Sequence, residues 1–164
     1  MRERSPFLAL LPDRIILGAT TFGPLGRLRA PGTWGSAAGI LLFAVLFAYL
    51  PPVPYLLLAL LLVFLSVPLC AEAEFRIGKR DPSSVILDEC VAIPLCFVGL
   101  PLVPGEPAWP WILGGFVLFR FFDIAKPLGI RRLQDLEGGW GIVADDLAAA
   151  VAANLVLQIA SAAW

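Results

Sequence analysis

The sequence predicts an all-α fold, a helical integral membrane protein with about five membrane-embedded helices in one bundle. Three observations carry that prediction. Of the 164 residues, 59% are hydrophobic and only 15% are charged, against about a quarter charged in soluble domains. The charges are also unevenly spread: none lies between Arg29 and Glu72, none follows Asp146, and between Cys90 and Phe119 there is only Glu106. Proline clusters then divide the apolar sequence into stretches close to the ~20 residues that a crossing helix needs. The length allows one domain, residues 1–164, and leaves no room for a separate soluble catalytic module.

The elements follow in order. The opening MRERSPFLALLPDR carries arginines and a short apolar patch broken by Pro12 and Asp13, too short and interrupted for a cleaved signal peptide. Trp34 to Leu50 forms the first span, and the uncharged turn Pro51-Pro52-Val53-Pro54 ends it. Tyr55 to Ala71 is the second. At 1.5 Å per residue each of these reaches roughly 26 Å, slightly short of a hydrocarbon core of about 30 Å. Each is therefore read as a crossing, with shallower re-entrant packing as the alternative. Val85 to Val103 is the third, followed by the proline-rich loop PGEPAWP; Trp109 to Ile124 is the fourth and Ile142 to Trp164 the fifth.

The loops set an orientation. Arg2, Arg4, Arg14, Arg27 and Arg29 precede the first span. Arg76, Lys79 and Arg80 separate the second from the third, and Arg120, Lys126, Arg131 and Arg132 lie at the junction of the fourth and fifth. The loops PPVP and PGEPAWP hold no Lys or Arg. The positive-inside rule makes the basic loops cytoplasmic. Asp81, Asp88, Glu89, Asp123, Asp145 and Asp146 then all fall on the cytoplasmic side, at or just inside span ends. Charges within spans are costly, and they usually pair with one another or mark a functional site.

Aspartate and glutamate with no histidine and no metal-spaced cysteines favour a hard cation such as Mg²⁺, which prefers oxygen ligands. Asp88-Glu89 and Asp145-Asp146 are adjacent pairs, so one member of each faces a site while its neighbour turns about 100° away. Asp123 lies three residues from both Arg120 and Lys126, which puts the three near one helical face before Pro127 stops the helix. From spacing, a metal-and-phosphate corner and a set of salt bridges fastening helix ends are both open readings.

Two glycine-rich pieces open spans: APGTWGSAAG (Ala30 to Gly39) and EGGWG (Glu137 to Gly141). Backbone N–H groups beside a helix start can hold a phosphate, which makes Gly32, Thr33, Ser36, Gly138 and Gly139 candidate phosphate contacts. Gly35 and Gly39 read better as a small-x-x-x-small packing face. Cys70, Cys90 and Cys96 read as small apolar fillers. Cys70 to Arg76 has the spacing of a cysteine phosphatase loop, but Glu72 and Glu74 within it would repel both phosphate and thiolate, so the match is accidental. The lack of histidine excludes Ser-His and phosphohistidine chemistry, and no nucleotide-binding P-loop is present. A net charge of −1 gives no reason to expect nucleic acid.

FRFFDIAKP (Phe119 to Pro127) and GGWGIVADD (Gly138 to Asp146) resemble the signature of the phosphatidylglycerophosphatase A family. So do DPSSVILDE (Asp81 to Glu89) and FGPLGRLRAPGTWGS (Phe22 to Ser36), and the four blocks occur in matching order over most of the chain. The chain departs from the usual family pattern at Ala92, at Leu128-Gly129 after Lys126-Pro127, at Ala149-Ala150 and in PLGRLR, and no departure removes a carboxylate. The resemblance implies a Mg²⁺-dependent enzyme of the bacterial inner membrane, multi-pass, with its site facing the cytoplasm. It would hydrolyse the membrane lipid phosphatidylglycerophosphate to phosphatidylglycerol and inorganic phosphate. On that reading Asp88, Glu89, Asp123, Asp145 and Asp146 hold metal, while Asp81, Arg120 and Lys126 act on the phosphate and the attacking water. Two alternatives remain: a phosphatase for another lipid phosphomonoester, and a small membrane transporter or assembly protein whose acids and bases form an ion-pair network.

Overall fold

The computed structural model of the chain describes residues 6–100, 108–127 and 129–163. Arg2 and Arg4, Val103 with the first part of the PGEPAWP loop, and Trp164 lie outside the described residues. Every regular element among those described is helical, as predicted. Two short helices, α1 (Pro6–Ala9) and α2 (Asp13–Thr21), precede α3 (Pro31–Leu42), which continues as a π-helical stretch to Phe47. The long α4 (Pro52–Ile77) leads to α5 (Leu87–Ala92), which continues as a 3₁₀ turn, Ile93–Phe97. Then come α6 (Trp109–Ala125), a second 3₁₀ segment (Ile130–Asp135) and α7 (Trp140–Ala163).

Helices α4 and α7 are long and apolar enough to cross a membrane, and α3 with its extension is a shorter apolar helix. The outward face of α4 is Leu56, Leu57, Leu60, Leu61, Phe64 and Leu65, all exposed, and its inward face is Tyr55, Ala59, Val63, Ser66, Cys70 and Ala73, all buried. Both sets recur at helical spacing, so this helix is apolar all round. Only 28% of its apolar window is buried, against 44% for α7. A soluble protein rarely leaves so large an apolar surface open; a bilayer is the solvent that suits it. The helix also outruns the predicted Tyr55–Ala71 at both ends. Proline is tolerated in a helix's first turn, where the missing N–H has no partner anyway, so Pro52 and Pro54 start the helix instead of preceding it. At the far end Arg76 donates to Glu72 at 2.9 Å, one turn back, and this pairing carries the charged turn to Ile77. Arg76 also donates to the carbonyls of Leu8 and Leu11 and to Asp13, which ties α1 and α2 to α4. Its guanidinium is thus taken up by Glu72, Asp13 and the chain of α1 and the following turn.

The third predicted span, Val85–Val103, is not one helix. The described part, α5 with its 3₁₀ continuation, advances only about 19 Å at standard rises, and it is buried inside the bundle, with Ile93 and Cys96 wholly inaccessible. Pro94 supplies the physical reason: it cannot donate to the carbonyl one turn back, so the α-helical ladder gives way there. Irregular backbone buried away from water persists only where protein satisfies its polar groups, and here it does. Tyr55 Oη donates to the Pro94 carbonyl at 2.6 Å. Asn154 Nδ2 donates to the Cys96 and Val98 carbonyls, both at 2.9 Å, and Gln158 Nε2 donates to Val98 at 2.8 Å. Asn154 and Gln158 of α7 are thus the partners of a broken helix.

The break brings the start of α5 into the middle of the molecule. Gly32, Gly35 and Gly39 line the buried face of α3, and a Cβ on Gly35 or Gly39 would collide with Ile86 or with Ile93 and the Cys90 carbonyl. Their absent side chains let α3 lie directly on the α5 segment, the packing role predicted for Gly35 and Gly39. On the other side, Ala149, Ala150 and Ala153 of α7 are fully buried, in one apolar core with Phe97 and Phe119. Replacing Asn154 by Leu would orphan the Cys96 carbonyl, at a cost of about 1–3 kcal/mol. Thermal unfolding in detergent should show a clearly lower Tm for Asn154→Leu, whereas an unchanged Tm would mean that the broken helix does not depend on this bond.

Candidate active site

Five apolar segments bring one end each to the same place. The N-termini of α3, α5 and α7 and the C-terminus of α6, with the loop after α4, surround a cavity of about 270 Å³. Its walls include Asp81, Asp88, Glu89, Arg120, Asp123, Lys126, Asp145 and Asp146. Every charged residue singled out from the sequence is therefore in this one cavity. Gly32 joins them, and Ser83 adds a hydroxyl that the sequence had not suggested.

The remaining phosphate-contact candidates lie elsewhere. Thr33 is exposed. Ser36 is buried, and its hydroxyl donates to the Gly32 carbonyl at 2.8 Å. Gly138 lines a neighbouring cavity of about 310 Å³, with Glu74, Arg80, Gln134 and Glu137, that shares Asp81 and Ile142 with the first. Gly139 packs against α4, where any side chain would run into the Val67 carbonyl. None of these four lines the carboxylate cavity.

Within the cavity the charges are ordered. Arg120 Nη1 donates to Asp123 Oδ2 at 2.6 Å and lies 3.8 Å from Glu89 Oε1. Lys126 Nζ donates to Asp145 Oδ2 and lies 3.9 Å from Asp123 Oδ1. The carboxylates outnumber these cations, and several are nearly inaccessible: Asp88 is 5% exposed, Asp145 and Asp146 4% each. Asp88 Oδ1, Glu89 Oε2 and Asp145 Oδ1 are buried without a hydrogen-bond partner. Unpaired buried carboxylate oxygens are expensive, and a hard cation is the ligand whose chemistry they fit. Among the described residues, two groups of three have oxygens all within 4.8 Å of one another: Asp88, Glu89 and Asp146, and Asp123, Asp145 and Asp146. Starts of helices facing the cavity carry partial positive charge, which offsets part of the repulsion.

Backbone strain collects here as well. Four described non-glycine residues have positive φ, and three of them, Ala30 (54°), Asp81 (45°) and Lys126 (44°), line the cavity. Such residues cost on the order of 1 kcal/mol or more each and cluster at functional sites. Asp81 is held from two sides, its N–H donating to Glu74 Oε1 at 3.0 Å and its Oδ2 accepting from Gln134 Nε2 at 3.0 Å. Glu74 and Gln134, which hold Asp81, were missed by sequence reasoning. The one available signal was a glutamate at the end of an apolar helix, 3% exposed when folded. Burial raises the Asp81 carboxyl above the ordinary carboxylate range, Lys126 draws it back, and Glu74 and Asp123 push it further up. Burial draws the Lys126 ammonium down, but its hydrogen bond and charge pairing with Asp145, helped by Asp123 and Asp146, outweigh this and hold it above its ordinary value.

Comparison with known proteins meets this geometry at the level of family. A family model described as "Phosphatidylglycerophosphatase A" matches residues 18–161. The chain belongs to the phosphatidylglycerophosphatase A family. A Haemophilus influenzae protein named phosphatidylglycerophosphatase A is 39% identical over 96% of this chain and 95% of its own length. An Escherichia coli protein of the same name is 34% identical over 82% of this chain and 76% of its own. A Bacteroides thetaiotaomicron protein named putative phosphatidylinositol-3-phosphatase is 33% identical over 88% and 92%. No solved structure matches the chain. All four sequence blocks that resemble the phosphatidylglycerophosphatase A signature lie within the matched residues, and each brings at least one residue to the carboxylate cavity.

The glycine face separates packing from chemistry. A methyl group on Gly35 would press on the Ile86 backbone, whereas the nearest atoms to one on Gly32 are the ends of the Glu89 and Arg120 side chains. Gly35→Ala should therefore lower stability by about 1–3 kcal/mol. Gly32→Ala should unfold close to wild type yet lose most phosphatase activity, as read by thermal unfolding and phosphate release on the same preparations.

Proposed function

We propose that this phosphatase hydrolyses phosphatidylglycerophosphate to phosphatidylglycerol and inorganic phosphate, with Mg²⁺ as its metal. The observation that carries the reading is the convergence of six carboxylates, Arg120 and Lys126 on one cavity at helix ends, in a chain of this family. A lipid phosphomonoester keeps its acyl chains in the bilayer and its phosphate at the surface. A site at helix ends suits that substrate, whereas a proton relay or transport pathway calls for charges near the bilayer midplane. The basic loops at this end favour a multi-pass protein of the bacterial inner membrane with the cavity on the cytoplasmic side.

Asp88, Glu89, Asp123, Asp145 and Asp146 would hold the Mg²⁺. Bound there, it supplies charge neutralisation at the phosphoryl oxygens and acidifies a coordinated water. The chain's own residues do the rest. Arg120 and Lys126 turn from Asp123 and Asp145 toward the phosphate and stabilise the charge that spreads over its oxygens in the transition state. Asp81, fixed by Glu74 and Gln134, orients the attacking water and takes its proton. The water oxygen bonds to phosphorus, the bond from phosphorus to the glycerol oxygen breaks, and that oxygen leaves with a proton as the lipid's new hydroxyl. Gly32 keeps the wall beside Arg120 open for the incoming phosphate.

A second reading, a phosphatase for another lipid phosphomonoester, is favoured by the relative named as a putative phosphatidylinositol-3-phosphatase. Metal and charge recognise the phosphate more than what carries it. Phosphate release from phosphatidylglycerophosphate by purified protein in detergent is the test. We expect release with Mg²⁺, none with EDTA, and a loss of about a hundredfold or more in Asp123→Asn and Asp146→Asn. Faster release from a phosphoinositide would replace the substrate, and no release from any phosphomonoester by folded protein would overturn the enzyme reading for this chain.

A further inference from the structure

We infer that the cavity holds two adjoining divalent cations that share Asp146, one tight and one held open until the phosphate arrives. This rests on the phosphatase reading above and specifies its metal site. The two carboxylate triads meet at one residue: Asp146 contributes both to the group with Asp88 and Glu89 and to the group with Asp123 and Asp145. Ligands of one octahedral Mg²⁺ stand about 3.0 Å apart when adjacent and about 4.2 Å apart when opposite, so a triad whose oxygens lie within 4.8 Å of one another draws together around an ion. A shared carboxylate is also how two ions are held at the separation of about 3.5–4 Å found in paired phosphoryl-transfer sites.

Charge balance points the same way. Six carboxylates face two cationic side chains across the cavity, which leaves four formal negative charges when all are ionised. One divalent ion would leave two of these facing a phosphate that is itself dianionic. Two divalent ions cancel them and let the phosphate in.

The two halves differ in what occupies them. Arg120 lies 3.8 Å from Glu89 Oε1, but Asp88 Oδ1 and Glu89 Oε2 are buried with no hydrogen-bond partner, so the first triad keeps two oxygens ready to receive an ion. In the second, Asp123 and Asp145 are engaged by Arg120 and Lys126, which stand where a second ion's charge would act. An ion enters there only as Lys126 leaves Asp145, and an anionic phosphate is what draws the lysine away. The second site is therefore weak alone and stronger with phosphate. Its weakness belongs to Lys126, not to a missing ligand, since Asp145 Oδ1 is itself buried and unpartnered.

Mn²⁺ is the probe, because it shares the preference for carboxylate oxygen and is paramagnetic. Chelator-stripped protein in detergent is titrated with MnCl₂ and followed by electron paramagnetic resonance, with and without inorganic phosphate. Two ions should bind per chain, the second at least tenfold more weakly, and the doubly loaded protein should give the spectrum of an exchange-coupled pair. Phosphate should tighten the second ion, and Lys126→Ala should do so without phosphate. Asp88→Asn should remove the tight ion, Asp123→Asn the weak one, and Asp146→Asn should weaken both and abolish the coupling. A single ion in the wild-type chain, or an uncoupled pair indifferent to Asp146→Asn, overturns the inference. The wild-type stoichiometry decides this even where a variant fails to fold. Phosphate release measured on the same protein separates the two proposals. One ion with full hydrolysis overturns the pair alone, and a coupled pair with no hydrolysis of any lipid phosphate overturns the phosphatase reading.

Discussion

The repulsion among carboxylates gathered at one cavity is the constraint on which the rest of this structure depends. Burying Asp88, Asp145 and Asp146 beside Glu89 and Asp123 is unfavourable in itself, since each charge is taken out of water and placed near others of its sign. The fold offsets this locally. Arg120 and Lys126 come from the end of α6, and the starts of α3 and α7 turn their partial positive charge inward. What these leave unbalanced is the basis of the proposed function, in which the site takes up divalent cation and, through it, phosphate.

Most of the architecture serves to bring those groups together. α3 can lie against the α5 segment only because Gly32, Gly35 and Gly39 present no side chains to it. α5 reaches the centre only because its helix breaks at Pro94 and the freed carbonyls find Tyr55, Asn154 and Gln158. The backbone of Asp81 and Lys126 is held in the left-handed region, the one by Glu74 and the other as the cap of α6, with its N–H on the Phe122 carbonyl at 2.8 Å. Away from the cavity the molecule relaxes into broad apolar faces such as that of α4, for which lipid is the complementary surface.

The site was largely legible in the sequence because charges are so scarce there. In a chain with long uncharged stretches, the few acids and bases that interrupt them have to share a location, and all eight candidates do. The helix limits were less legible. Proline looked like punctuation before Tyr55, yet in a first turn it is a helix starter. Glu72 looked like an end, yet its pairing with Arg76 carries the helix another turn. The third span was misread because hydropathy is the same for a continuous helix and a broken one. Pro94 marked the break, and the traces of its compensation lay far along the chain, in Tyr55, Asn154 and Gln158, which spacing cannot connect to it. Ser36 illustrates a further limit. Its hydroxyl is a suitable phosphate donor by type, but in a helix the nearest acceptor is the carbonyl four residues back, and Gly32 takes it.

The account stands or falls on whether the cavity is an electrostatic vacancy for a divalent cation or a closed network of ion pairs. Thermal unfolding of chelator-stripped protein in detergent, as Mg²⁺ is added, distinguishes them most directly. A ligand that binds only the folded state stabilises it by about 2.7 kcal/mol at a hundred times its Kd, so the wild-type Tm should climb with Mg²⁺. Asp146→Asn, which removes one of the crowded charges, should raise the Tm of the stripped protein and flatten that climb. A wild-type Tm indifferent to Mg²⁺, together with a lower Tm in stripped Asp146→Asn, would mean that the carboxylates are already paired and that the cavity is a structural joint.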